Sequence, residues 1–420
     1  MRRWFPRGRS IVRASHKRTS RLSTVATGFY DAERVHVPVG SSGHVSIDLH
    51  NLAKVSSSEP LLIYLPPFSA AAPSRNLAAL PKFAQRYGTA VINYRWTEDS
   101  FEQRNAEPNS EEAIAGQSFH PGWPAPIHDT LNAYSWIVEN LTPRHFARRD
   151  IFVYGSYLGA SLATSLSLTE CIPHERTAIR GCIAYNGVYN WTMFLPDHPV
   201  NHRPLKTPQN ILEEILYLPG GHDFGELQQM ARELFRKPDN FFDPFASSCL
   251  LFHTPGLLVP PSFDESAIPV PSPLIAATEA WFSAEEPAEM TALMKQPRKS
   301  HLVFPPRKSM LKIPEMLLLH DTPPPLPPSL LRRRQRRTKK SYGNSFGTQA
   351  EELAGLMRRS INKVELKERL KWDEDFDESD DEANRRVQVF DVGSSDVFQG
   401  TESGVNNVAA TWLADRTYVP

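Results

Sequence analysis

Apolar positions along the chain follow two rhythms, short runs of consecutive hydrophobics and longer stretches with a single apolar face. Residues 34–39 and 44–49 alternate in and out around Gly40 and Gly43, the pattern of a β-hairpin. Residues 61–65, Leu-Leu-Ile-Tyr-Leu, hold no charged position, as a strand covered on both faces requires. Further strands are predicted over 89–94, 150–154, 180–185, 313–320 and 387–392. Between them the spacing turns helical. Residues 76–87 put Leu77, Leu80, Phe83 and Ala84 on one face and stop at Gly88. Residues 127–141 do the same with Leu131, Tyr134, Ile137 and Val138. Helices are also expected over 157–169, 224–236, 348–361 and 405–414, with Ala350, Leu353, Leu356 and Met357 as the stripe of the third. Regular alternation of this kind predicts an α/β fold, a mostly parallel sheet with helices on both faces.

The rhythm breaks between 191 and 310, where proline-rich and aromatic-rich sequence surrounds one helical stretch. This segment reads as a long lid-like insertion between a first part of the core, 31–190, and its remainder, 311–420. Phe241, Phe242, Phe245, Phe252 and Trp281 are expected to dock the insertion onto the core, lining of a hydrophobic pocket being the alternative. The chain has 37 prolines in 420 residues, against a usual share of about 5%, so long irregular connections are expected.

Formal net charge is zero, which removes any bulk attraction to nucleic acid or membrane. That zero sums charged loops of opposite sign at 322–345 and 373–384. The basic run Arg332–Lys340 has no interleaved aromatic residues to stack bases, which argues against nucleic acid and leaves a solvated loop or a nuclear localisation signal. The acidic run Asp373–Glu382 lacks the glycine and spacing of a calcium loop. Three cysteines, Cys171, Cys182 and Cys249, form no CxxC, so neither a disulfide framework nor a zinc site is indicated, and no cofactor is expected. No apolar run approaches the ~20 residues of a transmembrane helix. Residues 1–30 carry eight Arg or Lys, many Ser and Thr, and no acid before Asp31. That is the composition of a mitochondrial transit peptide and predicts the matrix, the alternative being a disordered basic tail on a cytoplasmic or nuclear protein.

Six segments, in order, resemble the hormone-sensitive-lipase-like branch of the α/β-hydrolases. Leu61–Leu65 stands where that family's strand leads into its His-Gly-Gly loop, and Ile92-Asn93-Tyr94-Arg95 is similar to its Asp-Tyr-Arg strand ending. Pro124 to Asp129, continuing to Trp136, resembles its Pro…Asp…Trp helix start, with His120 and His128 expected to order the loop there. Phe152-Val-Tyr-Gly155-Ser-Tyr-Leu-Gly159 lies at the nucleophile elbow, and Asp243-Pro244-Phe245-Ala246-Ser247 resembles the segment after the lid. Ile313 to Asp321 resembles the strand that delivers the acid.

What the resemblance implies about chemistry divides. The family's elbow is Gly-x-Ser-x-Gly. Here Gly155 and Gly159 keep the glycines, but Tyr157 takes the centre and Ser156 stands one place early. Asp321 holds the acid position. The base should follow the last strand, yet His320 is the final histidine of the chain and Asp396 falls near its place. The oxyanion loop has Pro66, Pro67 and Phe68 as its counterpart, and proline has no amide hydrogen to donate. The reading is an α/β-hydrolase-fold pseudoenzyme that binds an unknown small molecule or protein. Two alternatives stand beside it: an active atypical esterase-like serine hydrolase using Ser156 with Asp321, and a mitochondrial interaction protein working through its insertion and charged loops.

Overall fold

Two antiparallel strands, β1 (Ala32–Pro38) and β2 (His44–His50), are the first elements among the described residues. They are followed by β3 (Leu61–Leu65), β4 (Gly88–Asn93), α1 (Ala125–Leu141), β5 (Arg149–Ser156), α2 (Leu158–Glu170) and β6 (Thr177–Tyr185). After α3 (Gly221–Phe235) come β7 (Glu315–His320), α4 (Phe346–Ser360), α5 (Glu382–Arg386), β8 (Val387–Asp391) and α6 (Thr401–Thr417). The strands make one eight-stranded sheet in the order β1-β2-β4-β3-β5-β6-β7-β8. β2 runs antiparallel to β1 and β4, and every other pairing is parallel. This computed structural model describes residues 32–41, 43–56, 58–67, 80–96, 122–143, 147–201, 221–263, 297–322, 343–367, 381–393 and 401–417.

Both faces of the sheet are covered, which is why its central strands are apolar throughout. Leu61, Ile63, Leu65, Ile151, Val153, Met316 and Leu318 face one core with α1, α2 and α4. Leu62, Tyr64, Phe152, Tyr154, Leu317 and Leu319 face the other, against Phe83 and the apolar side of α6, Val405, Ala409, Trp412 and Leu413. Each fully buried Leu or Ile contributes about 1.5–3 kcal/mol.

Three predicted elements need correction. The helix expected over 76–87 is, in its described part, only a short 3-10 turn, Ala84–Arg86. Gly88 is the first residue of β4 rather than a cap, because β4 pairs with β3 from Leu61↔Gly88 onward. The helix expected to end at 361 runs on through a π-helical turn, Ile361–Leu366, which buries Ile361 and Leu366. The acidic loop stops earlier than expected, since Glu382 already belongs to α5. The basic segment 1–30, the basic run 332–340, acidic residues 373–380, Phe68, Ser69, His120, Trp281 and Asp396 lie outside the described residues. No helix among the described residues is long and apolar enough to cross a membrane.

Buried polar groups tie the irregular segments to the sheet. Asp129, fully buried in the first turns of α1, accepts from the Arg95 backbone N–H at 3.0 Å and from Nε and Nη2 at 2.8 and 2.6 Å. His128 is exposed, and among the described residues the bonds that order this helix start are those of Asp129. Gln349 of α4, also fully buried, accepts from the N–H groups of Tyr189 and Asn190 at 3.0 and 2.8 Å and donates to Asn190 O and Asn344 Oδ1. One turn on, Glu352 receives Asn190 Nδ2 at 3.0 Å and Lys299 Nζ at 3.2 Å, with His253 Nε2 at 3.5 Å.

Burial alone would raise the Glu352 carboxyl, but the His253 and Asn190 contacts and the Lys299 charge outweigh it and hold the group at about 2. A carboxyl depressed in the folded state stabilises above its ordinary value of 4.5 and loses that contribution as pH falls through about 2. Urea unfolding midpoints between pH 6 and 2 should therefore drop less steeply for Glu352→Gln than for the parent. Parallel curves would assign the acid sensitivity elsewhere.

Candidate functional site

β5 passes into α2 through a single residue. Tyr157 has φ 52° and ψ −115°, and its N–H donates to Tyr185 O at 2.8 Å. A bulky residue at positive φ is strained, and the glycines explain why the chain accepts it here. A Cβ on Gly159 would lie 2.2 Å from Leu65 O and 2.6 Å from Pro66 O; one on Gly155 would lie 2.3 Å from Gly159 O. The α2 backbone thus packs directly on the end of β3, with no room for a wider turn. This is the strained strand-to-helix elbow, whose central side chain is presented at the top of the sheet.

Tyr157 is that central residue. Its half-buried ring packs edge-on against Tyr185 and Phe346, with centroids at 5.8 Å in both cases. Ser156 is the last residue of β5, paired with Tyr185 and 5% exposed. No histidine of the described residues bonds its hydroxyl.

Asp321 follows β7 at the same edge of the sheet. Its carboxylate accepts from Tyr185 Oη at 2.9 and 2.8 Å and from Asn186 Nδ2 at 3.0 Å, while its own N–H donates to Asn186 Oδ1 at 3.0 Å. Burial, then the neighbouring Tyr157 and Asp321, push the Tyr185 phenol far above its usual value, so it acts as a donor. The structure therefore brings Tyr157, Tyr185, Asn186 and Asp321 together. His320, one residue before Asp321, has its ring 3.2 Å from where a Cβ on Gly347 would be, over the start of α4. Pro66 and Pro67 leave β3 beside the elbow without amide hydrogens, and Pro66 O accepts from the buried Tyr94 Oη at 2.6 Å. Tyr185 and Asn186 escaped sequence reasoning, which saw only a strand end; the tyrosine closing the strand next to the elbow was the available signal.

Beside the elbow, Trp96, Trp123, Trp191 and Phe235 pack against one another at centroid distances of 4.7–5.8 Å. With Leu158, Ser161, Leu162, Phe245 and Ala246 they line a cavity of about 10 Å³, space for about one water. The Asp243 segment forms part of this wall. Asp243 Oδ2 receives Trp123 Nε1 at 2.7 Å, and Ser247 Oγ receives Trp191 N at 2.9 Å and donates to Phe241 O at 2.6 Å. Of the aromatics expected to dock the insertion, Phe241 and Phe252 are buried, Phe242 is half-buried, and Phe245 is 37% exposed at the cavity wall.

Strand order and elbow together define the class: this chain has the α/β-hydrolase fold. No model of a known protein family matches the chain, and no curated protein matches it. Among solved structures it is similar to carboxyl esterase 2 of the mycorrhizal fungus Tuber melanosporum, at 12% identity over 91% of this chain and 87% of that one, with a TM-score of 0.40. A hormone-sensitive lipase from a metagenome library matches at 10% identity over 89% and 82%, with a TM-score of 0.39. A thermostable carboxylesterase from a metagenomic library matches at 16% over 52% of this chain and 64% of that one, with a TM-score of 0.33. The last match thus spans less than two thirds of that esterase's length.

The close approach at the elbow yields a mutational expectation. Gly159→Ala should destabilise the fold by roughly 3 kcal/mol, because the new Cβ meets backbone carbonyls that cannot swing aside. Chemical denaturation measures it; a change under ~1 kcal/mol would mean that α2 can lift off β3.

Proposed function

We propose that this α/β-hydrolase-fold chain is a pseudoenzyme, without ester-hydrolysing activity, that works by binding a partner at the sheet edge around Tyr157. The observation that carries the reading is Tyr157 at the centre of the elbow, φ 52° and ψ −115°, where an esterase of this fold presents its serine. A phenol with an ordinary pKa near 10 needs a base to act as nucleophile, and no histidine follows His320 in the chain. Asp321 is turned to a structural use, accepting from Tyr185 and Asn186. Pro66 and Pro67 remove two amides from the loop that would supply an oxyanion donor, and each lost donor of that kind costs about 3–4 kcal/mol of transition-state stabilisation. The aromatic packing beside the elbow leaves little space among the described residues, which favours a protein partner over a small molecule.

Labelling of the full-length chain with a serine-directed fluorophosphonate tests this reading, with Ser156→Ala and Tyr157→Ser run beside it. Neither the parent nor Tyr157→Ser should label, since restoring the hydroxyl restores neither base nor oxyanion donors. Labelling of the parent that disappears in Ser156→Ala would instead establish the atypical serine hydrolase using Ser156 and Asp321.

The composition of residues 1–30 supports a mitochondrial matrix location within the same proposal. A fluorescent reporter carrying residues 1–30 should enter mitochondria and be shortened on import; a reporter left in the cytosol at full length would argue against it.

A further inference from the structure

A second constellation lies away from the elbow, on the surface formed by α4, its π-helical turn and residues 297–304. The backbone there is firmly placed. His301 forms a β-bridge with His253, Thr254 N donates to Ser300 O at 2.8 Å, and Leu302 N donates to Phe252 O at 2.8 Å. Arg359, near the end of α4, points its Nη1 at His301 Nε2, 2.5 Å away. A ring nitrogen that accepts a hydrogen bond carries no proton, so His301 is neutral in this arrangement.

The surroundings of His301 are positive. Slight desolvation and then the charges of Arg359, His253, Lys299 and Lys363 hold its pKa below the usual histidine value. Arg359 and Lys363 stand four residues apart on the helix and its π-helical turn, hence on one side. Both are exposed, and neither pairs with a carboxylate among the described residues. Glu352, the acid that α4 offers to this neighbourhood, is already committed to Asn190, Lys299 and His253. A guanidinium resting on a neutral imidazole, with the Lys363 ammonium on the same side of the helix, leaves several N–H donors without a carboxylate to receive them among the described residues.

We propose that Arg359, His301 and Lys363, with Lys299 at the rim, form a binding site for a phosphate-type oxyanion, and that His301 takes up a proton when the anion binds. The proton comes from solvent and goes to His301 Nε2. Arg359 Nη1 is released from that nitrogen and donates to an anion oxygen, and the new Nε2–H supplies a second charge-assisted bond. Lys363 and Lys299 contribute as point charges. The anion offsets the positive charge that keeps the free ring neutral, so binding and protonation favour each other. Nothing in this site depends on the silence or activity of the elbow.

Inorganic sulfate is the probe of choice, because it stays a dianion across the histidine range and any proton uptake then belongs to the protein. The full-length chain is titrated with sulfate by calorimetry in two buffers of different ionisation heat, and the histidine rings are followed by NMR, with sodium chloride at equal ionic strength as control. Saturable binding should take up about one proton, and the affinity should rise by up to about tenfold per pH unit as pH falls through the histidine range. Arg359→Ala should weaken binding about tenfold or more. His301→Gln should still bind but without proton uptake, which separates a working site from a misfolded variant. Displacement of sulfate by inorganic phosphate alone marks a site for the free anion, and displacement by phenyl phosphate as well marks one open to phosphomonoesters. Signals reproduced by chloride, or binding untouched by Arg359→Ala, would overturn the proposal.

Discussion

The contact between the α2 backbone and the end of β3 dictates most of what stands at the upper edge of the sheet. Gly159 lies against the carbonyls of Leu65 and Pro66 so closely that not even a methyl group fits. The chain leaving β5 must therefore reverse within one residue, and Tyr157 takes a conformation that costs on the order of 1–3 kcal/mol. The cost is offset locally. Tyr157 N–H bonds to Tyr185 O, and the helix that follows is buried along its length from Leu158 to Leu168. The strain is thus a consequence of helix packing and sets the backbone, while leaving the identity of the side chain open.

The same edge explains how the Asp321 carboxylate is held without a histidine bonded to it among the described residues. A half-buried carboxylate requires donors, and Asp321 finds them in Tyr185, the last residue of β6, and Asn186, the next one, which itself adopts φ 50°. Tyr185 meets the needs of two neighbours: its carbonyl receives the elbow N–H and its hydroxyl serves Asp321. Elbow and acid are coupled through one tyrosine, which bonds the Tyr157 N–H with its carbonyl and Asp321 with its hydroxyl.

The parallel sheet was legible in the sequence because central strands covered on both faces must be apolar at every position, as 61–65 are. The elbow was legible because Gly155 and Gly159 mark the approach at fixed spacing. Less was visible where long-range contacts decide. Residues 76–87 have a helical face, yet their last residues turn into β4, since pairing with β3 begins at Gly88. Gln349 lies outside the apolar stripe of its helix and yet is fully buried, because the backbone of Tyr189 and Asn190, some 160 residues away, needs its amide. His301 and Arg359 gave no local signal either. Their contact spans 58 positions and depends on how 297–304 lies against α4.

These groups differ in what they hold together. Asp129 with Arg95, Gln349 with Asn190 and Ser247 with Trp191 fasten irregular segments to the sheet, and each is buried so that loss of one partner strands another. Tyr157, by contrast, contributes ring packing at a half-exposed edge, and substitution there leaves those anchors in place. The sheet and its elbow thus keep their backbone geometry and the bonded Asp321 with a tyrosine at the centre of the turn.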